Sequence, residues 1–444
     1  MKLFEKIDTE KLEQAWANRF NPEVSFYGGK EVAFSPAVQA QVSPYGQVST
    51  GEMPNYGSLH GVLIPNEFTG WMDECNAIAT TCYIGDWSWL NKIRISGPDV
   101  IPCLEASTIN GYKKFPIGKG RHIISVTPEG KMIGDGIAFR EAEDTFLLTA
   151  GLTLAEGQML KSQGFDVTVE ELTARMYNFH VQGPLSGKVI EKLCGEDISD
   201  LGFLYFREIK IDGRDVRLYR GGMSGELGYE LFGDSADGSF IWSRVVEAGR
   251  EFGIRQYGYR SLMVNHLQAF FPTIWVDFLP ANLPEEAHAE LFYRSPVDFG
   301  WGGLMDKSRD FPGKAALVAE MEHPTHKTVM LEWDNEDCIS IYTSLFDKEN
   351  EPYEQMSLPV SVSEVACGAP AFVPVFSKDH ALVGFASNRG YSYQFRKVIS
   401  ITYMDIAYAT EGTEVFVLYG NEGKRQKMIR ATVTMAPYKR DGRK

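Results

Sequence analysis

The 444-residue chain has no run of eighteen apolar residues, no CxxC pair and no block of Lys and Arg. Each absence excludes a class. A membrane-spanning helix needs roughly 18 or more consecutive apolar residues, so none is expected. Six cysteines (Cys75, Cys82, Cys103, Cys194, Cys338 and Cys367) are scattered without metal-ligand spacing, which predicts reduced thiols and no metal site. Lys and Arg number 44 against 59 Asp and Glu, a net charge of −15, so nucleic acid and anionic membranes are poor partners. The first twenty residues alternate charged and apolar positions at helical spacing, with neither an apolar h-region nor a cleavage site. That pattern predicts an intracellular, cytoplasmic chain.

What is present is enough apolar content, 44%, for more than one core. Residues 1–55 read as a helix followed by a Pro-, Gly-, Ser- and Tyr-rich arm. Residues 56–150 then read as a first α+β lobe, completed by about 255–320. "LNKIRISGPD" alternates like a strand that stops at Gly-Pro, and "GRHIISVTPEGKMIGDGIAFREAEDTFLL" reads as three strands broken at "TPEG" and "EAED". Residues 151–254 read as a second lobe, with strands "FDVTVEEL" and "MYNFHVQGP" and helices "LSGKVIEKLCG" and "DGSFIWSRVVEAGREFG". A hairpin turns at Asp212-Gly213. Residues 321–444 are strand-rich and predict a barrel or sandwich.

The stretch "RGGMSGELGYELFG", residues 220–233, holds five glycines. A dinucleotide loop needs G-x-G-x-x-G between a strand and a helix, and a Walker loop needs Gly-Lys-Ser/Thr; neither is here. The segment reads as a turn between strands, with glycines supplying positive φ. In "GYELF", Tyr229 and Leu231 share one face and Glu230 takes the other. Glu230 alone reads either as a surface carboxylate or as the wall of a cleft, where glycines without side chains would admit a flat ligand.

Taken in order, "RISGPD", "VTPEGKMIGDGIAFREAEDTFLL", "FHVQGP", "RGGMSGELGYELFG", "GIRQYGYRSLMVN", "NRGYSYQFRKVISI" and "GTEVFVLYG" resemble the glycine-cleavage T-protein family of tetrahydrofolate-dependent aminomethyltransferases. Within it the chain looks closest to the tetrahydrofolate-dependent aryl O-demethylases of the vanillate and syringate type. The resemblance implies an α+β fold of three domains around a central folate cavity, with a C-terminal β-barrel. It implies tetrahydrofolate as methyl acceptor, no metal, and a small-molecule methyl donor as partner. Cofactor-binding roles fall on Glu230 as the pteridine clamp, on Tyr229 beside it, on Asp135 near the reacting nitrogen and on Arg260 near the anionic tail. Gln182-Gly183-Pro184 matches a turn taken as structural.

The donor half departs from the aryl demethylases. Their His-His pair corresponds to Ser88-Trp89, their arm tyrosines to Leu59 and Gly61, their catalytic tyrosine to Leu262 and a nearby tryptophan to Phe271. Asp135, His60 and His266 are the catalytic candidates, since an imidazole titrates near neutral pH and can serve a leaving group. Tyr56, Trp87, Trp89, Tyr259 and Phe271 are candidates for an aromatic donor wall, or for ordinary core. Three readings stand: methyl transfer from a methoxylated aromatic; one-carbon transfer from an N-methyl, S-methyl or methylenedioxy donor; and a non-enzymatic folate binder of iron–sulfur maintenance. The last branch carries a cysteine motif where this chain has "SRDFPGKAAL".

Overall fold

A computed structural model describes residues 33–34, 55–59, 62–150, 154–283, 289–358 and 372–443. Strands β1 (Ala33–Phe34), β2 (Asn55–Leu59) and β3 (Val62–Glu67) make a small sheet. The chain continues through α1 (Trp71–Thr80), β4 (Tyr83–Asp86), β5 (Lys92–Ser96), α2 (Val100–Ser107), β6 (Gly120–Val126), β7 (Met132–Ala142), β8 (Thr145–Thr149) and α3 (Leu154–Ser162). Next come β9 (Thr168–Glu171), β10 (Met176–Gln182), α4 (Ser186–Cys194), β11 (Phe206–Ile211), β12 (Arg214–Arg220), β13 (Gly228–Asp234), α5 (Gly238–Gly249), β14 (Arg255–Tyr257) and α6 (Tyr259–Ala269).

Two large sheets result, with orders β6-β7-β8-β5-β9 and β11-β12-β13-β10-β4-β14. The first five strands of each follow one plan. A strand ends at Gly-Pro, where proline removes the ladder donor, and a helix starts at once. A hairpin and a third strand then return beside the first. In the second sheet the hairpin turns through Asp212 and Gly213 at φ 47° and 83°, the left-handed pair that the Asp-Gly signal predicts.

The fifth strand of each sheet comes from the other half of the sequence. β4 pairs antiparallel with β10, and β9 pairs antiparallel with β5. The exchange is matched bond for bond. Asn178 N–H donates to Ser88 Oγ at 3.0 Å, and Lys92 N–H to Thr173 Oγ1 at 2.9 Å. The Ser88 amide in turn donates to Asp86, and the Thr173 amide to Glu171. A boundary near residue 150 is therefore crossed in both directions, which sequence adjacency cannot reveal.

Each sheet buries one face under helices. Ile95, Ile123, Phe146 and Leu148 pack with Val100 and Leu104 of α2, while Phe179, Val181, Tyr229 and Leu231 pack with Val189, Ile190, Ile241 and Trp242 of α4 and α5. The other faces meet each other through Phe139, Leu147, Tyr219 and Phe232. Phe139 and Tyr219 cross edge to face at 4.8 Å. The molecule thus has a helix-covered outside on each sheet and an inner layer between them. Truncating a ring as buried as Trp242, 1% exposed, would cost about 3–5 kcal/mol.

Beyond α7 (Lys314–Glu322), strands β15 (His326–Trp333), β16 (Val373–Phe376), β17 (Leu382–Ser392), β18 (Lys397–Asp405), β19 (Glu414–Tyr419) and β20 (Lys427–Thr434) close a barrel in the order β15-β18-β17-β16-β19-β20. Helix α8 (Asn335–Thr343), capped by Asp334, buries Cys338 and Ile341 in the barrel core. The strand-dominated reading of this region has no place for α8, whose few apolar positions carry little helical period. The lobes hold the barrel through α6: Leu267 packs on Met330, Ile399 and Ile401, and Gln268 Nε2 donates to Ser392 Oγ at 2.6 Å. Among the described residues no helix is long and apolar enough to cross a membrane.

Candidate functional site

Glu230 lies in the middle of the second sheet, opposite Tyr219 on one side and His180 on the other. It is 7% exposed and points into the inner layer, since its neighbours Tyr229 and Leu231 belong to the helix-covered core. His180 Nε2 stands 3.3 Å from Glu230 Oε2. His180 Nδ1 is 3.2 Å from Gln182 Nε2, and Gln182 Oε1 accepts the Ser224 backbone N–H at 3.1 Å. That last bond fixes the amide, because a backbone N–H only donates. The Gln182 NH2 therefore donates to Nδ1, and neutral His180 carries its proton on Nε2, toward Glu230. A hydrogen-bonded chain of Ser224, Gln182 and His180 thus runs from the glycine-rich turn and ends beside the carboxylate, where Nε2 makes no hydrogen bond among the described residues.

Two glycines make this geometry possible. Gly222, at φ +147°, leaves the space into which the Gln182 amide fits; a Cβ there would overlap it. The room given by the glycine-rich turn thus goes to Gln182, which corrects the expectation that it admits a flat ligand. Gly85 faces His180 across β4 and β10, and a Cβ on it would overlap the Trp87 ring. Trp87 folds back over that position and stacks on His180 at 4.0 Å and 5°. Tyr257 follows at 6.3 Å from Trp87 and stacks on Tyr83 at 4.0 Å.

Trp87, Trp89 and Tyr259 gather in one aromatic cluster with Tyr83, Tyr257, Leu262 and Met263. Phe271 sits apart, 5.6 Å from the His266 ring. His266 is 4% exposed, and burial together with neighbouring His180 pushes its pKa down to about 3. It stays neutral at physiological pH, so the role of leaving-group acid does not suit it. Tyr229 is on the opposite face from Glu230, against α4, and burial raises its pKa. The structure does not bring it to the carboxylate. Arg260, at the start of α6, donates to Glu67 Oε1 at 3.0 Å. His60 and the side chain of Tyr56 lie outside the described residues.

Asp135 stands on β7 with Ile137 and Phe139, and Phe139 meets Tyr219, so Asp135 also faces the inner layer. His122 Nε2 lies 2.7 Å from Asp135 Oδ2, with the Trp301 ring edge-on at 4.9 Å. Both carboxylates singled out from the sequence therefore have an imidazole neighbour.

The partners His122, His180 and Gln182 escape sequence reading. The alternation in "NFHVQ" does put His180 opposite Phe179 and Val181, but only the β10–β13 register shows that it meets Glu230. Lys92 escapes as well. Fully buried, it donates to the Ser88 and Leu90 carbonyls at 3.0 and 2.7 Å. Burial pushes its pKa down to about 7, against the pull of Asp86, Glu171 and Glu230. Among the described residues no group of three His, Cys, Asp or Glu side chains could hold a metal ion.

Comparison with known proteins follows the same lines. The family described as GCVT N-terminal domain matches residues 41–294. A sesamin methylene transferase of Sinomonas sp. is 30% identical over 85% of this chain and 90% of its own length. A syringate O-demethylase of Sphingobium sp. is 28% identical over 84% of this chain and 90% of its own. The crystal structure of the glycine cleavage system aminomethyltransferase T from Bartonella henselae superposes with a TM-score of 0.71 at 19% identity, over 93% of this chain and 99% of that one. That likeness concerns the fold.

Proposed function

The chain belongs to the GCVT family, a family of tetrahydrofolate-dependent one-carbon transferases, and on that premise we propose that it demethylates a small methoxylated aromatic compound. The observation that carries this reading is Glu230: a carboxylate in the inner layer, held in the sheet and steadied by the His180–Gln182–Ser224 chain. A carboxylate accepts paired hydrogen bonds from a ring N–H and an exocyclic amine, which fixes orientation as well as affinity. The residues present fit a pteridine. Among the described residues, Trp87 Nε1, Tyr257 Oη and His266 Nε2 are buried polar atoms without a hydrogen-bond partner, in the aromatic cluster and on the helix over it. Tetrahydrofolate, when bound, supplies the nitrogen that accepts the one-carbon unit.

The protein's own contributions are alignment and charge. Glu230 holds the heterocycle. Asp135, positioned by His122, places a carboxylate in the same inner layer. Three of the positions that differ from the aryl demethylases serve the framework here: Ser88 Oγ accepts the Asn178 N–H, Trp89 Nε1 donates to the Asp86 carbonyl, and Leu262 is core. The donor end therefore rests on other groups, and the stacked rings of Trp87 and Tyr257 favour a planar donor.

The 30% identity to a methylene transferase supports a second reading, transfer of a methylene unit from a methylenedioxy aromatic. Incubation with tetrahydrofolate and a panel of methoxylated and methylenedioxy aromatics, followed by mass spectrometry of the folate, separates the two. The leading reading expects methyl-tetrahydrofolate. Methylene-tetrahydrofolate would establish the second, and folate binding without any product would leave a non-enzymatic role.

A further inference from the structure

Helix α8 has two unlike faces. Cys338 and Ile341 enter the barrel core, whereas Ile339 is 61% exposed on the other side. The single 3-10 turn that follows, Ser344–Phe346, adds Leu345 at 47% and Phe346 at 84%, so three large apolar side chains within residues 339–346 meet solvent. Phe346 is the most exposed large apolar side chain among the described residues. Exposed apolar residues scattered singly need no explanation, but a cluster marks a contact surface.

Beside this knob lies a hole. An open groove of about 380 Å³ is lined by Ile339, Thr343, Tyr353 and Arg425, and by Ser344 and Asp347, which bracket Leu345 and Phe346 in the chain. Arg425 builds one wall: its guanidinium lies 4.1 Å over the Tyr353 ring and donates to the Glu351 carbonyl at 2.7 Å. A groove of this volume admits an aromatic side chain.

Charge is sorted in the same way. The segment after the knob carries Asp347, Glu349 and Glu351 against Lys348, while the turn between β19 and β20 beside the groove carries Lys424, Arg425 and Lys427. Asp347 is satisfied within the chain by Asn350 Nδ2 and the Glu349 amide, and Lys427 lies 3.6 Å from Asp337. Glu349, Glu351, Lys424 and Arg425 form no ion pair among the described residues, which leaves charges of both signs open on one surface. A knob next to a hole, with acid beside the first and base beside the second, complements its own copy turned through half a rotation.

We propose that this face of the barrel is a homodimer interface, in which Phe346 of each copy seats in the groove between Ile339 and Tyr353 of the other. The contact is isologous and closes at two copies. A patch built on three apolar side chains stands at the small end of specific interfaces, which bury roughly 800 Å² per partner, so a dissociation constant of about 1–100 µM is expected.

Sedimentation velocity of the full chain from about 2 to 200 µM brackets that range and should show monomer passing to dimer. Phe346→Asp should stay monomeric throughout with an unchanged Tm, because the side chain it replaces is already in water. Arg425→Glu should weaken association about 3- to 30-fold by setting like charges against each other. Met435→Asp changes another exposed apolar residue, beyond the far end of β20, and should associate like the wild type. Phe346→benzoylphenylalanine should cross-link two copies on irradiation, with the adduct within residues 336–353 or at Arg425 of the second copy. A wild-type chain that remains monomeric at about 200 µM overturns the inference. So does a dimer that survives Phe346→Asp, or a cross-link that falls elsewhere.

Discussion

The two sheets share a plan yet differ at their centres. Counting three residues back from each Gly-Pro pair gives Arg94 in the first sheet and His180 in the second. The residue opposite Arg94 on β8 is Leu147, and the residue opposite His180 on β13 is Glu230. Arg94 is committed to Glu141 at 2.7 Å and Glu170 at 3.5 Å, and Glu141 also binds Arg217 of the other lobe at 2.6 Å. The first sheet uses its charges to fasten the lobes together. The second keeps a carboxylate and a neutral hydrogen-bond chain. One scaffold thus carries a joint in the first sheet and the candidate ligand grip in the second, and the two differ in the pair of residues that face each other at these positions.

The largest effect expected on this comparison concerns Lys92, which occupies the place that Asn178 holds in the other half. Its pKa is lowered from 10.5 to about 7 by burial. With the folded value below the unfolded one, stability is greatest above pH 10.5, falls as pH drops through the interval, and reaches its floor below pH 7. The slope is up to about 1.4 kcal/mol per pH unit. Urea unfolding at pH 7 and pH 9 should show it, and Lys92→Met should flatten it; a wild-type stability independent of pH in that interval would remove Lys92 from the argument.

Next comes Glu230→Gln, which turns one acceptor into a donor in the proposed ligand grip. Tetrahydrofolate binding by titration calorimetry should weaken by about 10- to 100-fold, with little change in Tm. Unchanged affinity would mean that Glu230 is not the clamp. Arg94→Met is the matching change in the joint. It should destabilise the protein by about 1–3 kcal/mol, because Glu141 keeps only Arg217, while folate affinity stays within about twofold. A large affinity loss there would erase the division of labour between the sheets. The smallest effect belongs to Tyr229→Phe: on the helix-covered face it should leave folate affinity unchanged and cost less than about 1 kcal/mol.

Much of the local structure was legible. Asp212-Gly213 turned where the dipeptide demanded, and strands stopped at Gly97-Pro98 and Gly183-Pro184, because φ > 0 and a missing N–H are properties of single residues. The separation of Tyr229 from Glu230 followed from the two-residue period of a strand. That same rule argued against grouping them in one site, and the resemblance alone had joined them. Helix α8 was missed because its helical period is weak, and the barrel around it stabilises what propensity does not.

The candidate site was legible only as a set of candidate residues, for a different reason. Motif order picked out Glu230 and Asp135, whereas His180, His122 and Gln182 act only through residues brought beside them by pairing. His180 lies 50 residues from Glu230, and Trp87 reaches it from β4, a strand that the first half of the chain places in the second half's sheet.

The sequence by itself determined the turns, the strand periods, the acidic balance and the family resemblance, which rest on single residues, short spacings, a charge count and the order of segments. Tertiary structure decided which faces meet, which imidazole carries its proton where, and that Gly222 makes room for Gln182. Those outcomes rest on strand register and exchange, and register is a contest among distant partners that no single segment can settle.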